Sequence, residues 1–355
     1  MARKNRELHT VPVASEPLEG TVIAVDAMGG DNAPGVVLEG VAAALDADSA
    51  LHVILCGPDE VVSPFAASHA RCTAQVTTEV IEMGEHPARA VRSKKDSSIV
   101  VGCRLVKEGA AQGFFSAGST GACLAAATLV VGRVKGVQRP AIAMPLPAPA
   151  HPVLLCDVGA NADCKPAYLV QFARMASVYA ERILGMESPR VGLLNIGEEE
   201  TKGNEMSLKA HALLAKQLPG FIGNAEGGDI LSGGFDVIVC DGFTGNVALK
   251  TIEGTSKTIF KMVKETMMSS TKAKLGALAL KDGLYDLKNR MSADTYGGAP
   301  LLGCKGAVTI GHGSSNARAI ENGVHACART AREHVSEIIA QTFAGVAQSD
   351  DAQVE

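Results

Sequence analysis

Tryptophan is absent, and aromatic residues make up 4% of the 355-residue chain. A chain so poor in rings offers no stacking platform for single-stranded nucleic acid. Its net charge of −5 also makes it a poor electrostatic match for any nucleic acid. The nine cysteines include no C-x-x-C pair and no His/Cys cluster at zinc spacing, so they read as free thiols of a reducing cytosol. No segment reaches about 20 predominantly apolar residues, the length a membrane span needs. Gly109 to Gly132 is uncharged but contains Gln112, Ser116, Ser119 and Thr120, and Pro140 to Cys156 is broken by five prolines. The stretch from Met1 to Gly20 is polar without an apolar centre, unlike a signal peptide, and is expected to be a flexible tail.

Several motifs are missing too. There is no Gly-Lys dipeptide, which excludes a Walker A loop. Gly311-His312-Gly313-Ser314-Ser315-Asn316 fails a G-x-G-x-x-G fingerprint at its last position, so a dinucleotide site is poorly supported. Ser315 follows Gly313 but precedes Ala317, so no G-x-S-x-G elbow marks a serine acyl-enzyme.

What remains is a globular composition, 46% hydrophobic and 20% charged, with 38 glycines. The length suits one large or two ordinary domains. Short β-branched runs ending in Gly, Asp or Asn recur at Val22–Asp26, His52–Cys56, Gln75–Ile81, Gly113–Ser116, Ala141–Leu146, Val153–Asp157, Val191–Ile196, Asp236–Asp241 and Ala307–Ile310. Helical periodicity lies between most of them, at Ala33–Asp46, Ser119–Val131, Lys165–Leu184, Glu205–Leu218, Asn246–Met268 and Ser315–Phe343. This alternation predicts an α/β fold of three αβα layers around a mostly parallel sheet. We expect a single unit over residues 21–345, with a basic helical hairpin at about 250–290 and a second tail at 346–355.

In such sheets ligands sit outside the carboxyl ends of the strands, and the unusual residues gather at those ends. Gly-rich polar turns follow Asp26, Ser116, Asp157, Ile196, Asp241 and Ile310. A Gly-rich turn opening a helix presents backbone N–H groups and the positive end of a helix dipole, which suits an anion. The same turns also serve as plain connections with Ser or Asn caps, but such connections do not need Ser, Thr, Asn, Lys and His in every one. Lys202 closes a Glu198-Glu199-Glu200-Thr201 run, either as part of a solvated charge run or as a cation for an anionic substrate. His312 stands between two glycines among candidate anion donors. Asp26, Asp31, Asp157, Asp163 and Asp241 either hold a divalent metal or, more commonly, cap helices and loops. Lys250 to Arg290 holds nine Lys and Arg against four Asp and Glu. There Ile252, Ile259, Val263 and Met267 fall on one helical face and Lys257, Lys261 and Lys264 on another, followed by an apolar Leu275–Leu280 tip flanked by lysines. This segment fits a packed hairpin, a membrane-surface contact or a dock for an acidic partner.

These strings resemble the bacterial phosphate acyltransferases of phospholipid synthesis, the PlsX family. The resemblance is carried by Val25-Asp26-Ala27-Met28-Gly29-Gly30-Asp31, Arg92-Ser93-Lys94-Lys95-Asp96-Ser97-Ser98 and Phe115-Ser116-Ala117-Gly118-Ser119-Thr120-Gly121-Ala122. It continues in Arg190 to Glu199, Lys202-Gly203, Cys240 to Asn246 and Gly311 to Ala317, spanning about Val22 to Ala326. It implies the fold group of isocitrate and isopropylmalate dehydrogenases and phosphotransacetylases. It implies transfer of an acyl group from acyl-[acyl carrier protein] to inorganic phosphate. It also implies a cytoplasmic homodimer touching the inner face of the membrane, with hand-off of acyl phosphate to a membrane glycerol-phosphate acyltransferase. Neither cofactor nor metal is expected, because a thioester is already activated.

The residues fit that chemistry. Ser116, Ser119 and Thr120 together with Ser314 and Ser315 are candidates to cradle phosphate, and Lys94 or Lys202 to supply charge. Asn246 and Asn195 are candidate oxyanion donors. Lys202, Asn246 and His312 form the candidate catalytic set, and Asp26, Gly29, Gly30, Asp31, Asn161 and Asn195 the candidate substrate contacts. The alternatives are a phosphotransacetylase using acyl-CoA, an NAD-linked decarboxylating dehydrogenase, and a non-catalytic scaffold for carrier protein and membrane. The dehydrogenase lacks its dinucleotide fingerprint, and the scaffold has no need of six polar loops.

Overall fold

Along the first strand, Val22 and Ala24 pack into one hydrophobic cluster while Ile23 and Val25 pack into another, and all four are buried. A strand buried on both faces reads as a continuous apolar run, which is why the sequence lacks a clean alternation here. This is a computed structural model, and it describes residues 20–149 and 151–351. The first expected tail lies outside the described residues except for Gly20, and so do positions 352–355 of the second.

The first half runs β1 (Thr21–Asp26), α1 (Gly35–Ala47), β2 (Leu51–Gly57), α2 (Asp59–Ser68), β3 (Cys72–Val76), α3 (Pro87–Ser93), α4 (Ser98–Glu108), β4 (Gly113–Ser116) and α5 (Thr120–Ala126). A π turn, Ala127–Val131, extends α5 and leads to β5 (Ala141–Leu146). The middle adds β6 (Val153–Cys156), α6 (Pro166–Leu184), β7 (Val191–Leu194), α7 (Glu205–Gln217), β8 (Phe221–Ala225) and β9 (Val237–Val239). Three helices follow, α8 (Gly242–Met268), α9 (Thr271–Ala279) and α10 (Lys281–Arg290). The last described elements are β10 (Ala299–Leu302), β11 (Ala307–Ile310), α11 (Ala317–Arg332) and α12 (Val335–Asp351).

The eleven strands of the described residues join one sheet, in the order β3-β2-β1-β4-β11-β10-β5-β6-β9-β7-β8. Seven of the ten pairings are parallel. The three antiparallel pairings, β11 with β10, β10 with β5 and β5 with β6, are consecutive in the middle of the sheet. One face is covered by α4, α5 and the start of α8 over a single cluster that includes Phe114, Leu155 and Ile238. The other face carries two clusters, one with residues of α1 and α11, the other with residues of α6, α7 and α12. The expected three-layer α/β architecture is therefore present.

The three central reversals have a consequence for the expected gathering of loops. Strands β1, β4 and β11 point one way, while β6, β9 and β7 point the other. Their carboxyl ends open on opposite edges of the sheet, called here the upper and lower edge. The six polar turns thus form two groups of three rather than one.

Local expectations are corrected in four places. The strand expected at Gln75–Ile81 is Cys72–Val76, and its next N–H, from Thr77, closes on the Gly57 carbonyl at 2.8 Å. Strands β8 and β10 were not anticipated. The helix expected over Ser315–Phe343 is two helices, broken where His334 takes a φ of 51°. The final helix runs to Asp351, into the stretch expected as a tail.

Helix α8 has 27 residues and is therefore about 40 Å long, whereas a strand of six residues spans about 20 Å. It starts at the lower edge after β9, crosses the sheet and outruns it. That geometry explains its burial: Leu249 is buried, but no residue of α9 or α10 is. Half-buried Ile252, Ser256, Phe260, Val263 and Met267 recur at helical spacing, whereas Ile259, expected on that face, is 54% exposed.

Candidate active site

The upper edge is built around Asp26, 2% exposed at the end of β1. Its carboxylate accepts hydrogen bonds from the Ser116 hydroxyl (2.7 Å) and the Met28 N–H (3.0 Å). The Ser116 Oγ accepts in turn from the Gly118 N–H at 3.0 Å. Burial drives the Asp26 pKa above the ordinary carboxylate value, and hydrogen bonds involving Ser98, Ser116 and Met28 offset only part of that rise. A Cβ on Gly29 would stand 2.7–2.8 Å from the Gly118 nitrogen, Asp26 Oδ2 and Ser116 Oγ, so this position admits glycine alone.

The β11 turn lies against this knot. The Asp31 N–H donates to the Gly313 carbonyl at 2.7 Å, and Gly30 has a φ of +112° beside the same carbonyl. Ser119 is buried and caps α5 by accepting from the Ala122 N–H, while Thr120 beside it is exposed. Asn316 caps α11 through the Ala319 N–H (2.9 Å) and donates to Asp294 (2.8 Å). His312 Nδ1 lies 2.8 Å from Ser314 Oγ. His312 Nε2 lies 3.4 Å from the Lys250 amine, which is 2.9 Å from Glu253 Oε2.

Lys250 was not among the sequence candidates. It sits two turns inside α8, in no motif, and nothing local signals that this helix crosses from the lower edge to the upper. Only the direction of β9 relative to β11 brings it to His312.

Beside this turn opens a cleft of about 470 Å³. Its walls are Met144 and Leu146 of β5, Leu249, Ile252 and Phe260 of α8, and Met291 and Tyr296 after α10. Its polar end is His312, Ser314, Ser315 and Asn316, and Glu253, Lys257 and Lys288 also line it. The arrangement is an apolar slot ending on a polar, glycine-rich turn. The neighbouring thiol does not supply a nucleophile: Cys123 is fully buried, and burial pushes its pKa up to about 12.

The lower edge is organised differently. Asp157 is buried and accepts from the N–H groups of Ile142 (3.0 Å), Ala160 (3.0 Å) and Asn161 (2.7 Å), and from the Asn161 side chain (2.9 Å). Burial raises its pKa despite these donors. Asn161 also donates to the Pro140 carbonyl (2.8 Å), and its own carbonyl accepts from the Gly242 N–H (2.7 Å). Asn195 donates to the Lys202 carbonyl (3.0 Å) and accepts from the Ile196 N–H (2.9 Å). Both asparagine side chains thus staple loops. The Lys202 side chain is 47% exposed, 3.9 Å from Glu199. Asn246 is exposed in the second turn of α8, close to Gly159.

The structure therefore brings Asp26, Gly29, Gly30, Asp31, Ser116, Ser119, Thr120, His312, Ser314 and Ser315 to one edge. It holds Asn161, Asn195, Lys202 and Asn246 at the other. Lys94 joins neither group: its amine donates to the Val80 carbonyl (2.7 Å) and to Glu85 (2.5 Å) at the end of α3. Among the described residues there is no cluster of three or more His, Cys, Asp or Glu side chains suited to a metal.

The family described as fatty acid synthesis protein matches residues 21–338. The chain is 52% identical over 317 residues to a phosphate acyltransferase of Desulfitobacterium hafniense (strain Y51), covering 88% of this chain and 93% of that one. It is 46% identical over 332 residues to a phosphate acyltransferase of Bacillus cereus (strain B4264), covering 93% and 99%. Among solved structures, a phosphotransacetylase from Streptococcus pyogenes superposes with a TM-score of 0.57 at 16% identity, covering 88% of this chain and 94% of that one. That likeness shows a shared fold.

Proposed function

The chain belongs to the family of fatty acid synthesis proteins that includes phosphate acyltransferases, and from that premise we propose that it transfers a fatty acyl group from acyl-[acyl carrier protein] to inorganic phosphate. The observation that carries the reading is the apolar cleft opening directly onto the His312–Ser315 turn. An alkyl chain in the slot would leave its thioester carbonyl among the polar groups of that turn, where phosphate is held by the neighbouring Ser and backbone donors.

A phosphate oxygen attacks the carbonyl carbon and gives a tetrahedral oxyanion. Collapse breaks the C–S bond, leaving acyl phosphate and a thiolate that takes up a proton. A thiol of pKa about 8.5 leaves without strong general-acid help. Phosphate is itself the nucleophile, in keeping with the missing serine elbow and the inert Cys123. Catalysis is then mostly positioning and electrostatics. Lys250 supplies positive charge and His312 hydrogen bonds at the turn, and Lys257 and Lys288 balance the carboxylates of Glu253 and Asp294 at the cleft.

In the same proposal, the projecting α8–α10 hairpin touches the inner face of the membrane. Leu275, Leu278 and Leu280 are 66%, 69% and 59% exposed among lysines, the pattern of an interfacial anchor. No helix of the described residues is long and apolar enough to cross a membrane. Changing Leu278 and Leu280 to Glu should abolish co-sedimentation with anionic vesicles; unchanged sedimentation removes the anchor from the proposal.

The decisive assay mixes purified protein, long-chain acyl-[acyl carrier protein] and phosphate, with chelator and without nucleotide, and follows acyl phosphate. Phosphate-dependent product is expected. No product from the carrier-bound acyl group, with acyl-CoA also inert, overturns the reading.

A further inference from the structure

A second cleft, of about 410 Å³, lies on the helical layer between α3, α4 and the π turn that extends α5. Its floor is apolar, made by Val91, Val100, Leu129 and Val130, and Leu129 is 52% exposed. Its rim is cationic, formed by Arg92, Lys95 and Arg104. Among the described residues none of these three cations pairs with a carboxylate. The Arg104 guanidinium donates to the Lys95 carbonyl at 2.7 Å, which holds two members of the rim together. The charge is local: Pro87 to Glu108 contains six Arg and Lys against Asp96 and Glu108, in a chain of net charge −5. Lys94, the inward-facing lysine of this stretch, is neutralised by Glu85 and so leaves the rim as the outward charge.

The position matters as much as the chemistry. Pro87, which opens α3, lies where a Cβ on Gly121 would meet it at 2.5 Å, one residue after Thr120 of the upper-edge turn. Just before α3, Met83 reaches Gly313 of the β11 turn. Val91, Val100 and Val130 of this cleft and Met144, Leu146, Leu249 and Ile252 of the acyl-sized cleft join the same hydrophobic cluster, on one face of the sheet.

We propose that the α3–α4 cleft docks the acidic carrier protein that bears the acyl thioester. The proposal rests on the acyl-transfer reading above and adds where the donor binds. An apolar floor inside a charged rim is the anatomy of a transient protein interface, with the floor excluding water and the rim steering an oppositely charged partner. The exposed apolar hairpin α9–α10 is a separate surface, so membrane contact and donor docking do not compete for the same residues.

The test is a charge reversal, Arg92→Glu with Lys95→Glu, read in two ways. Titrating acyl-free acidic carrier protein against labelled enzyme at low salt should show at least tenfold weaker binding for the variant. Raising ionic strength should weaken the wild type and leave the variant nearly flat. In turnover, the KM for the carrier-bound acyl group should rise at least tenfold at unchanged kcat. Turnover of the same acyl group on N-acetylcysteamine should stay within twofold. Equal loss with both donors means that the substitutions damage the fold or the site, and overturns the proposal. So does unchanged carrier binding, or its loss instead in Lys257→Glu/Lys261→Glu, which would move the dock to α8. Weakened sedimentation with anionic vesicles at unchanged carrier binding would reassign the cleft to lipid and also overturns it. If the wild type binds carrier but makes no acyl phosphate from either donor, the transfer reading fails while the docking surface stands.

Discussion

Lys250 and Asp26 show how differently two charged residues enter one site. Lys250 is half exposed and touches His312 and Glu253. Replacing it by alanine should leave stability nearly unchanged, because exposed ion pairs contribute little. It should lower kcat about tenfold or more through lost charge at the turn, with partial recovery in Lys250→Arg; an unaltered kcat would remove it from the site. Asp26 acts through the fold. Its pKa is raised by burial, so the folded protein binds a proton more tightly there than the unfolded chain. Its contribution therefore favours folding at low pH and is lost as pH rises from the ordinary carboxyl value of 3.8 through the raised folded value. In urea denaturation, Asp26→Asn should gain stability relative to wild type as pH rises through that window, and a pH-independent difference would contradict this. Asp26 was legible in the sequence because it ends an apolar run before two glycines. Lys250 was not, because its role depends on a helix direction set by residues far along the chain.

At the level of elements, the junction of β9 and α8 is fixed by contact. A Cβ on Gly245 would lie 1.9 Å from the Asp157 carbonyl oxygen and 2.8 Å from Cys240 Sγ. Gly245→Ala must push α8 off the lower edge, at a cost of about 3 kcal/mol, the upper end for overpacking. Thermal and urea unfolding would register it, and an unshifted midpoint would show that α8 is free to move. The start of β9 is held differently. Arg190 grips Asp236 through Nε (3.0 Å) and a terminal nitrogen (2.9 Å). Burial tends to raise the Asp236 pKa, but the hydrogen bonds and charge of Arg190 outweigh it and leave it below the ordinary value. That stabilisation is present above the unfolded pKa near 3.8 and is lost as pH falls through the lower folded value. Arg190→Ala should destabilise by about 1–2 kcal/mol at pH 7, the low end for hydrogen bonds to charged groups because the Arg190 side chain is partly exposed, and by progressively less as pH falls through the lowered Asp236 value. The same scale shows where the sequence misleads. Strand β10 is Ala-Pro-Leu-Leu with no β-branched residue, and β8 reads Phe-Ile-Gly-Asn-Ala with Ile222 as its single one, so neither carries the β-branched run by which the other strands were marked. Tertiary pairing overrode their weak propensity.

For the molecule as a whole, strand direction decides which residues share a surface. Alternating runs and polar turns revealed the layers and the loops, yet three central antiparallel pairings reversed half of the sheet. No local pattern encodes that reversal, because β5, β6 and β10 are short and buried on both faces whichever way they run. In one chain the cleft and the His312 turn belong to the upper edge, and Lys202 to the lower. Binding of a long-chain acyl ligand to the isolated protein should therefore separate the two. Ile252→Asp puts a charge in the slot and should weaken binding of a non-hydrolysable acyl analogue at least tenfold in calorimetry, since a charge without a partner in an apolar wall is strongly disfavoured. Lys202→Ala should leave that affinity within twofold. Equal losses in both variants cannot arise within one copy, because the sheet stands between the two edges. They would require the lower edge of a second copy to lie over the cleft of the first, and the losses would then depend on protein concentration.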